Sequence, residues 1–544
     1  MTAKRLDPID KGSRITSKQI RKTLWIVLAL GFLLRVWGLD CIPPALNSDE
    51  LLKAFDGASV YRSGMDHHGH RWPLFFQQSG EYSPPLYIYF AGCFSAPFGV
   101  NAYTTRLPSA VMGTLSILTT YLFVLEFAGA ETALIAAALT AISPWNVHYS
   151  RIGWEAVMEA PVQLAAFWLF LRWTRTRRWR ELAACCFVFA LTVYTYPSAR
   201  LFIPLMMLGL LIIYRRECSE HLLHLSVGIF VFLAALLPYI LFTFAHYDEM
   251  QARWKFLSVF QREDGWRLFL LHYLEHLSPL FLFWKGNPNS LHLLGAGVAL
   301  AVLFPFFLAG LFFIVKKRLM PHLFLLFWLF AFAIPSSMTY DRYDLNSMPN
   351  PLRAICGLNL IEIVSAIGIF FLLGKISSPL WRLWAKAALA AAILVNFSLT
   401  AYDYVFRYPA SSAPSWQYGL REAVEFLEKN NSDYDRVIVS HNVRLHPVAL
   451  AVFSGREPGP FSGADYPKYI LPFFHYVPIY GDFRHNEYLR YRGVDYGSIA
   501  RWRNLAPGKN LYLAKAGEID GAAPIFRNFY PNGDAAYEIY STDR

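Results

Sequence analysis

The amino-acid sequence predicts a polytopic α-helical membrane protein with a small α/β domain at its C-terminus. The chain has 544 residues, of which 55% are hydrophobic and only 16% are charged. Soluble proteins carry about 25% charged residues, so this composition excludes a purely soluble enzyme. The 44 Phe, 31 Tyr and 16 Trp also exclude intrinsic disorder, because disordered chains lack so much apolar surface.

Apolar segments long enough to form membrane spans recur through the first three quarters of the chain. A helix needs about 20 apolar residues to cross a bilayer. The eleven predicted spans lie at 23–40, 106–127, 131–148, 156–173, 182–197, 200–214, 222–246, 291–315, 320–338, 354–374 and 387–402. We therefore expect a cytoplasmic tail (1–22), a transmembrane domain (23–402) with outer loops at 41–105 and 247–290, and an extracytoplasmic domain (403–544).

One further apolar segment, 84–100, decides the orientation of everything after it. Cytoplasmic loops are rich in Lys and Arg. If 84–100 does not cross the membrane, the basic clusters at 172–180, 215–216, 316–318 and 375–386 all become cytoplasmic. We therefore expect 84–100 to be an interfacial or re-entrant helix, with the N-terminus inside and the C-terminus outside.

The C-terminal part has the composition of an ordinary soluble domain. Its pattern predicts a helix at 418–429 and strands at 436–440, 511–514 and 536–540. The six Cys show no metal-ligand spacing and none lies beyond Cys356, so we expect neither a zinc site nor a disulfide framework. No basic stripe is interleaved with aromatic residues on this domain, so nucleic acid is not expected as a partner.

Asp49 and Glu50 are the first candidate catalytic residues. They follow the first span in the segment NSDELLKAF. A carboxylate at the membrane surface can act as general base on an acceptor hydroxyl. The alternative is that Ser48 or Asp49 simply caps a surface helix, since Ser and Asp are favoured at that position.

Four arginines at predicted outer boundaries of spans are candidate ligands of a lipid-linked phosphate. Arg binds phosphate through two charge-assisted hydrogen bonds. Lys and Arg are usually enriched on the cytoplasmic side of a membrane, so Arg at an outer boundary is unusual. The alternative is that each extends to a lipid headgroup or pairs with a nearby acid. The four residues are Arg106, Arg151, Arg200 and Arg353.

Further polar residues lie near the same boundaries. Glu155 and Glu159 follow Arg151 at i+4 and i+8, which predicts a shared helix face, with either a functional Glu155 or a local ion pair. Tyr196 ends its span and either lines the site or belongs to the aromatic belt. The dense spacing of the histidines in DHHGHRWP suits a polar surface turn better than a zinc site.

The order of these motifs resembles the C-type (GT-C) membrane glycosyltransferases, in particular relatives of the protein O-mannosyltransferases and of the lipid A aminoarabinose transferase. The matching segments are NSDE, SGMDHHGHRWPLFF, SPPLYIYF, RLPSA, ISPWNVHYSRIGWE, YTYPSAR and MPNPLRAI. The resemblance implies transfer of a sugar from a polyprenyl-phosphate donor to an acceptor glycan, lipid or protein at the outer face of the membrane. It gives Asp49 the position of the catalytic acid residue of the family.

The resemblance also bears on the other candidate residues. Arg106 and Glu155 match positions at which the family places a functional Arg and a functional Asp. Ser83 stands where the aminoarabinose transferase has a phosphate-binding Lys, so the donor phosphate would depend on Arg200, Arg353 or Arg106. The implied inverting mechanism requires no cofactor, although Asp49 with Glu50 or Glu155 could hold a divalent cation.

Two alternatives come from other classes of protein. A transporter or lipid flippase would show ionisable residues near the middle of the membrane and often an inverted repeat. This chain instead concentrates its polar residues at one predicted face. A scaffold whose outer domain binds a partner is the third possibility.

Overall fold

The computed structural model describes residues 16–78, 81–289, 291–292, 295–340, 348–466, 468–470, 490–491, 494–495, 508–519 and 521–542. The chain divides into two compact units. The helical unit comprises Met1–Trp37, Ser109–His246 and Leu257–Tyr404. The mixed unit comprises Gly38–Pro108, Tyr247–Phe256 and Val405–Arg544, so it combines the first predicted outer loop with the C-terminal part of the chain.

Helices make up most of the described residues. In chain order they are α1 (Ser17–Val36), α2 (Ser48–Ser63), α3 (Pro85–Phe98), α4 (Ala102–Ala141), α5 (Pro144–Tyr149), α6 (Glu159–Thr176), α7 (Trp179–Val193), α8 (Ala199–Ile213), α9 (Arg215–Glu220), α10 (Leu222–Ala245), α11 (Tyr247–Leu257), α12 (Gly265–Leu277), α13 (Phe304–Lys317), α14 (Met320–Ala331), α15 (Ala333–Ser337), α16 (Leu360–Lys375), α17 (Pro379–Tyr402), α18 (Tyr408–Ser412), α19 (Leu420–Asn430) and α20 (Pro447–Phe453). Single turns of 3-10 or π geometry lie at Glu155–Met158, Val259–Gln261, Leu280–Trp284, Ala301–Leu303, Ile355–Gly357, Asp403–Arg407, His441–Val443 and Gly463–Asp465.

Five helical stretches among the described residues have the length and apolar composition needed to cross a membrane. They are Ala102–Ala141, Leu222–Ala245, Met320–Ser337, Ile355–Lys375 and Pro379–Ser412. The protein is therefore mostly helical with several apolar helices, as the composition predicts. Among the other predicted spans, α7 and α8 have 15 residues and α13 has 14, whereas α1 has 20 and α6 has 18.

Several predicted boundaries move for identifiable reasons. Predicted spans 106–127 and 131–148 correspond to one long helix, α4, which is interrupted at Gly129 (φ 81°) and ends at Ala141. The predicted span at 291–315 becomes helical only near residue 301, since 295–300 form turns and extended backbone.

Helix α17 begins at Pro379 instead of near 387, because Pro suits a first helical position and the Ser378 side chain accepts a hydrogen bond from the Trp381 N–H. Segment 84–100 forms α3, which confirms the predicted helix.

Within the helical unit, α13 and α16 cross at close range. A Cβ added at Gly368 would lie 2.7 Å from the backbone N of Gly310 and would collide with the Phe306 carbonyl. A Cβ at Gly310 would collide with the carbonyl of Val364. These two glycines therefore allow the two backbones to approach each other closely.

The mixed unit contains a five-stranded sheet with the order β4-β3-β7-β9-β8. Strand β3 pairs in parallel with β4 and β7, whereas β9 pairs antiparallel with β7 and β8. The strands of the chain are β1 (Phe76–Gln78), β2 (Glu81–Ser83), β3 (Arg436–Val439), β4 (Tyr469–Ile470), β5 (Arg490–Tyr491), β6 (Val494–Asp495), β7 (Asn510–Lys515), β8 (Phe526–Phe529) and β9 (Ala535–Ser541). The predicted helix at 418–429 and the three predicted strands are confirmed by α19, β3, β7 and β9.

Helix α2 is built into the core of the mixed unit. Leu51 belongs to the same buried cluster as residues of α19 and of the sheet, including Val424 and Val437. Leu52 and Phe55 pack with Val448 and Ala451 of α20. The helix that carries Asp49 is therefore packed against the C-terminal domain.

Candidate active site

The first turn of α2 holds Asp49 on a well-defined backbone. Asn47 is the N-cap: its side chain accepts a hydrogen bond from the Glu50 N–H at 2.9 Å, and the Glu50 carboxylate accepts one from the Asn47 N–H at 3.2 Å. This reciprocal capping box satisfies backbone donors that the first helical turn leaves without partners. Asp49 itself is exposed, and among the described residues its carboxylate has no hydrogen-bond partner. The cap is thus Asn47, and Asp49 is available to a ligand.

Glu50 and Arg106 form a fully buried ion pair. The Arg106 Nε–H donates to Glu50 at 2.8 Å and one terminal nitrogen donates to the same carboxylate at 3.0 Å. The remaining guanidinium N–H groups donate to the backbone carbonyls of Leu39, Pro43 and Ala45. Every Arg106 donor is therefore used inside the mixed unit, which contradicts the predicted phosphate-binding role. The same pair occupies the Glu50 carboxylate, which argues against a cation held by Asp49 and Glu50.

Two residues of the C-terminal segment, which sequence reasoning did not single out, contact the start of α2. The Gln417 Oε1 accepts hydrogen bonds from the Ser48 N–H and the Ser48 hydroxyl, both at 2.9 Å. The buried ring of Trp416 lies 5.7 Å from the Arg106 guanidinium carbon. No local pattern in the sequence links Trp416 or Gln417 to Ser48.

The other three candidate arginines lie in the helical unit. Arg151 is 2% exposed, donates to the carbonyls of Leu34 and Arg35, and its guanidinium lies over the ring of Tyr404. Arg200 lies over the ring of Tyr239, and among the described residues its buried Nε has no hydrogen-bond partner. Arg353 is partly exposed and donates to the Thr339 hydroxyl at 3.0 Å. Arg200 and Arg353 are accordingly more accessible than Arg106 and Arg151.

Arg35 is a buried cation that the sequence reasoning overlooked. It lies inside the first predicted span and is 0% exposed. Its guanidinium donates to the carbonyls of Gly31, Thr140 and Ala141 and to the side chain of Asn146 at 2.6 Å. A lone Arg within an apolar segment was the available signal, and its contacts show that it joins α1 to the end of α4 and to α5.

The predicted shared face of Arg151, Glu155 and Glu159 is wrong. Residues 151–154 form no helix, because the backbone becomes extended at Trp154 (φ −114°, ψ 143°). Glu155 starts a separate 3-10 turn and is partly buried, whereas Glu159 is buried at the start of α6 and accepts a hydrogen bond from the Ser198 hydroxyl at 2.6 Å. Tyr196 is buried in the same unit.

The histidine-rich segment is only partly a surface turn. His68 and His70 are exposed, but His67 is buried and its Nδ1 lies 2.6 Å from the Asp56 carboxylate on α2. Gln78 donates to the same carboxylate at 3.1 Å. Burial opposes protonation of His67, yet the neighbouring Asp56 raises the pKa of the ring above its usual value. Within the described ranges, no group of three or more His, Cys, Asp or Glu side chains is arranged to hold a metal ion.

Known proteins match parts of the sequence. Residues 82–242 match the family described as dolichyl-phosphate-mannose-protein mannosyltransferase. Undecaprenyl phosphate-α-4-amino-4-deoxy-L-arabinose arabinosyl transferase 2 of Pseudomonas fluorescens is 25% identical over 321 residues, which cover 57% of this chain and 52% of the relative. The chain thus spans about half the length of this curated relative.

Solved structures show the same fold. ArnT from Cupriavidus metallidurans, bound to undecaprenyl phosphate, has a TM-score of 0.56 and 12% identity, covering 96% of this chain and 98% of ArnT. The oligosaccharyltransferase AglB from Archaeoglobus fulgidus, in complex with an inhibitory peptide and a dolichol-phosphate, has a TM-score of 0.51 and 15% identity, covering 81% of this chain and 64% of AglB. Together these matches confirm the resemblance of the chain to the GT-C membrane glycosyltransferases.

Proposed function

We propose that this protein is an integral membrane glycosyltransferase that transfers a sugar from a polyprenyl-phosphate donor to an acceptor hydroxyl. The curated relative is named for an undecaprenyl-phosphate sugar, and the two similar structures contain undecaprenyl phosphate or dolichol-phosphate. The acceptor is a glycan, a lipid or a protein. These comparisons favour glycosyl transfer over the transporter or flippase alternative.

The setting of Asp49 carries the proposal. It is an exposed carboxylate on a backbone fixed by the Asn47 cap and by the buried Glu50–Arg106 pair. In an inverting reaction, the Asp49 carboxylate takes the proton from the acceptor hydroxyl as the hydroxyl oxygen attacks the anomeric carbon. The bond from that carbon to the phosphate oxygen breaks, and the lipid phosphate leaves with the electron pair. Glu50 then acts through its contacts with the helix start and does not itself touch substrate.

We assign the donor phosphate to Arg200 and Arg353. Both are partly exposed, and the guanidinium of Arg200 has a buried Nε without a partner in the described part of the chain. Cationic donors that are already in place stabilise a leaving phosphate at low dielectric. Arg151 and Tyr196, both largely buried, are assigned to the wall of the donor site, and Glu155 to orienting the acceptor.

The proposal includes the orientation in the membrane. We propose eleven spans, a cytoplasmic tail at 1–22, a transmembrane domain at 23–402, and an extracytoplasmic domain at 403–544. The positions of the basic clusters support this arrangement. It places the active site and the C-terminal domain outside the cytoplasmic membrane, where a lipid-linked donor is accessible.

The test is transfer of radiolabelled sugar from polyprenyl-phosphate donors by the purified protein in lipid vesicles. Removal of the Asp49 carboxylate by Asp49→Asn is expected to lower the rate about 10²–10⁴-fold. Asp40→Asn, which changes another exposed carboxylate of the mixed unit, serves as the matched control. A folded Asp49→Asn protein with the wild-type rate would refute the assignment. Donor that crosses the bilayer with its sugar still attached would support the transporter alternative.

The same assay tests the cation requirement. The proposed mechanism uses the Asp49 carboxylate and arginines only, so EDTA is expected to leave the rate unchanged. A loss of activity in EDTA that Mg²⁺ or Mn²⁺ restores would require a cation in the reaction.

A further inference from the structure

At the start of α2, Asp49 lies between two residues that are each held by a side chain from a distant part of the chain. Ser48 is bound by Gln417, and Glu50 is bound by Arg106, which in turn lies against Trp416. We infer that Gln417, assisted by Trp416, is a positioning residue for the Asp49 carboxylate, so that the C-terminal domain forms part of the catalytic centre. This inference rests on the proposed role of Asp49 as general base.

The contact of Gln417 fixes the first peptide unit of the helix. The Ser48 N–H is one of the donors that an α-helix leaves without an internal partner, and Gln417 Oε1 accepts it together with the Ser48 hydroxyl. The Gln417 amide is itself anchored, because its Nε2 donates to the Arg444 carbonyl at 3.1 Å. Its backbone has a positive φ of 56°, a conformation that is uncommon for residues other than Gly.

Trp416 acts on the residue that follows Asp49, through Arg106 and Glu50. Its ring is fully buried, and its Nε1–H donates to the Tyr408 hydroxyl at 2.9 Å. A cation over an aromatic face is attracted by the ring quadrupole, so Trp416 restrains the Arg106 guanidinium. Arg106 then fixes Glu50, the residue after Asp49. A single dipeptide of the C-terminal domain thus restrains both neighbours of the proposed base.

The arrangement matters because Asp49 has no restraint of its own among the described residues. Its position depends on the backbone between Ser48 and Glu50, and on the packing of Leu51 in the core of the C-terminal domain. A misplacement of about 1 Å at a reacting group can cost about 100-fold in rate. Loss of the Gln417 contact is therefore expected to act on kcat.

The experiment measures kcat, KM for the donor, and the pH profile of kcat for purified full-length variants. Gln417→Ala is expected to lower kcat on the order of 10-fold, with the donor KM changed less than about twofold. Gln417→Glu keeps an acceptor for Ser48 but loses the donor to the Arg444 carbonyl, so it should recover part of the rate. Its added negative charge next to Asp49 should move the acid limb of the profile upward by a few tenths of a pH unit. Lys429→Ala, an exposed change on α19, is the control and should behave as wild type.

Double variants separate this inference from the proposed function. If Gln417 acts through Asp49, adding Gln417→Ala to Asp49→Asn should lower the rate no further. An inactive Asp49→Asn together with a fully active Gln417→Ala would overturn the positioning role alone. A fully active Asp49→Asn would overturn the proposed base, whatever Gln417→Ala does. Equal losses in Gln417→Ala and Gln417→Glu without a shift of the pH profile would reduce Gln417 to a structural residue.

Discussion

The guanidinium of Arg106 and the carboxylate of Glu50 meet in a two-point ion pair from which solvent is excluded. Both side chains are fully buried, and the two N–O distances are 2.8 and 3.0 Å. Removing one partner of a buried pair leaves an uncompensated charge in the protein interior. The pair connects the end of the first predicted outer loop to the helix that carries Asp49, so its loss affects both the fold and the site.

Glu50→Gln is expected to lower the free energy of unfolding of the mixed unit by about 3–5 kcal/mol. Gln is nearly isosteric and retains the capping contact to Asn47, so the change isolates the charge. The control is Glu425→Gln, which breaks the exposed pair with Arg421 and should cost less than about 1 kcal/mol. Thermal unfolding in detergent compares the two. Equal midpoints for the two variants would show that the buried pair contributes no more than a surface pair.

The elements that depend on local sequence were predictable. Segment 84–100 forms a helix, and three segments of alternating or continuous apolar residues form strands β3, β7 and β9. The start of α2 was located to within two residues, but its cap is Asn47, not the predicted Ser48 or Asp49, and most of the helix is buried and not at the surface. The number of spans could not be read from helix length alone, since helices such as α13 are shorter than a bilayer is thick.

The contacts of the candidate site were beyond prediction because they join distant parts of the chain. Glu50 and Arg106 are 56 residues apart, and Ser48 and Gln417 are 369 apart. A lone Arg at a span boundary has the same sequence pattern whether it binds phosphate or a buried carboxylate. The spacing of Arg151 and Glu155 assumed one continuous helix, but the extended backbone at Trp154 interrupts it.

Gly368→Ala is expected to destabilise the helical unit by about 1–3 kcal/mol, because the new methyl group collides with the backbone of α13. Gly374→Ala is a matched control on the same helix, where a Cβ meets nothing within 4 Å. Ala is favoured over Gly in helices, so this control should be neutral or slightly stabilising. The measurement is the midpoint of thermal unfolding of each of the two variants, compared with that of the wild type. A Gly368→Ala protein as stable as Gly374→Ala would mean that the crossing is looser than described.

His446 is expected to make the mixed unit sensitive to acid. Burial lowers the pKa of His446 to about 3, and His67 nearby adds to this effect. An unfolded His has a pKa near 6.5, so the unfolded state binds the proton first as the pH falls. The free energy of unfolding is therefore unaffected by the ionisation of His446 above about pH 6.5, where the side chain is neutral in both states. Below that pH the free energy of unfolding falls progressively, because the unfolded state takes up a proton that the folded state does not. His446→Asn retains a side-chain acceptor for the Val448 N–H and removes the titration.

We expect this variant to lose less stability than wild type between pH 7 and pH 5, by up to about 2 kcal/mol. The His67–Asp56 pair changes in the opposite sense, because the raised pKa of His67 stabilises the fold at low pH and this gain is lost above its folded pKa. The His67–Asp56 pair is present in both proteins, so its contribution to the pH dependence of stability cancels when the two are compared. Unfolding curves at the two pH values provide the measurement. If both proteins lose the same amount of stability between pH 7 and pH 5, the folded protein protonates His446 in that range as readily as the unfolded chain does.

Labelling with a membrane-impermeant maleimide tests the proposed orientation. Cys41 is an exposed thiol in the first predicted outer loop, so intact spheroplasts should react there. Burial and the adjacent Asp40 raise the pKa of this thiol, and the thiolate is the reactive form, so labelling is carried out above pH 8. Cys93 is replaced by Ser in all variants because it is also exposed.

A second probe, Arg177→Cys, is placed in the 172–180 basic cluster of a protein that lacks Cys41 and Cys93. If segment 84–100 does not cross the membrane, this probe reacts only after permeabilisation, since an even number of crossings separates it from the cytoplasmic tail. If segment 84–100 does cross, residue 177 lies outside and both probes react in intact spheroplasts. The positive-inside distribution favours the first outcome, because the second would place all four basic clusters on the outer face.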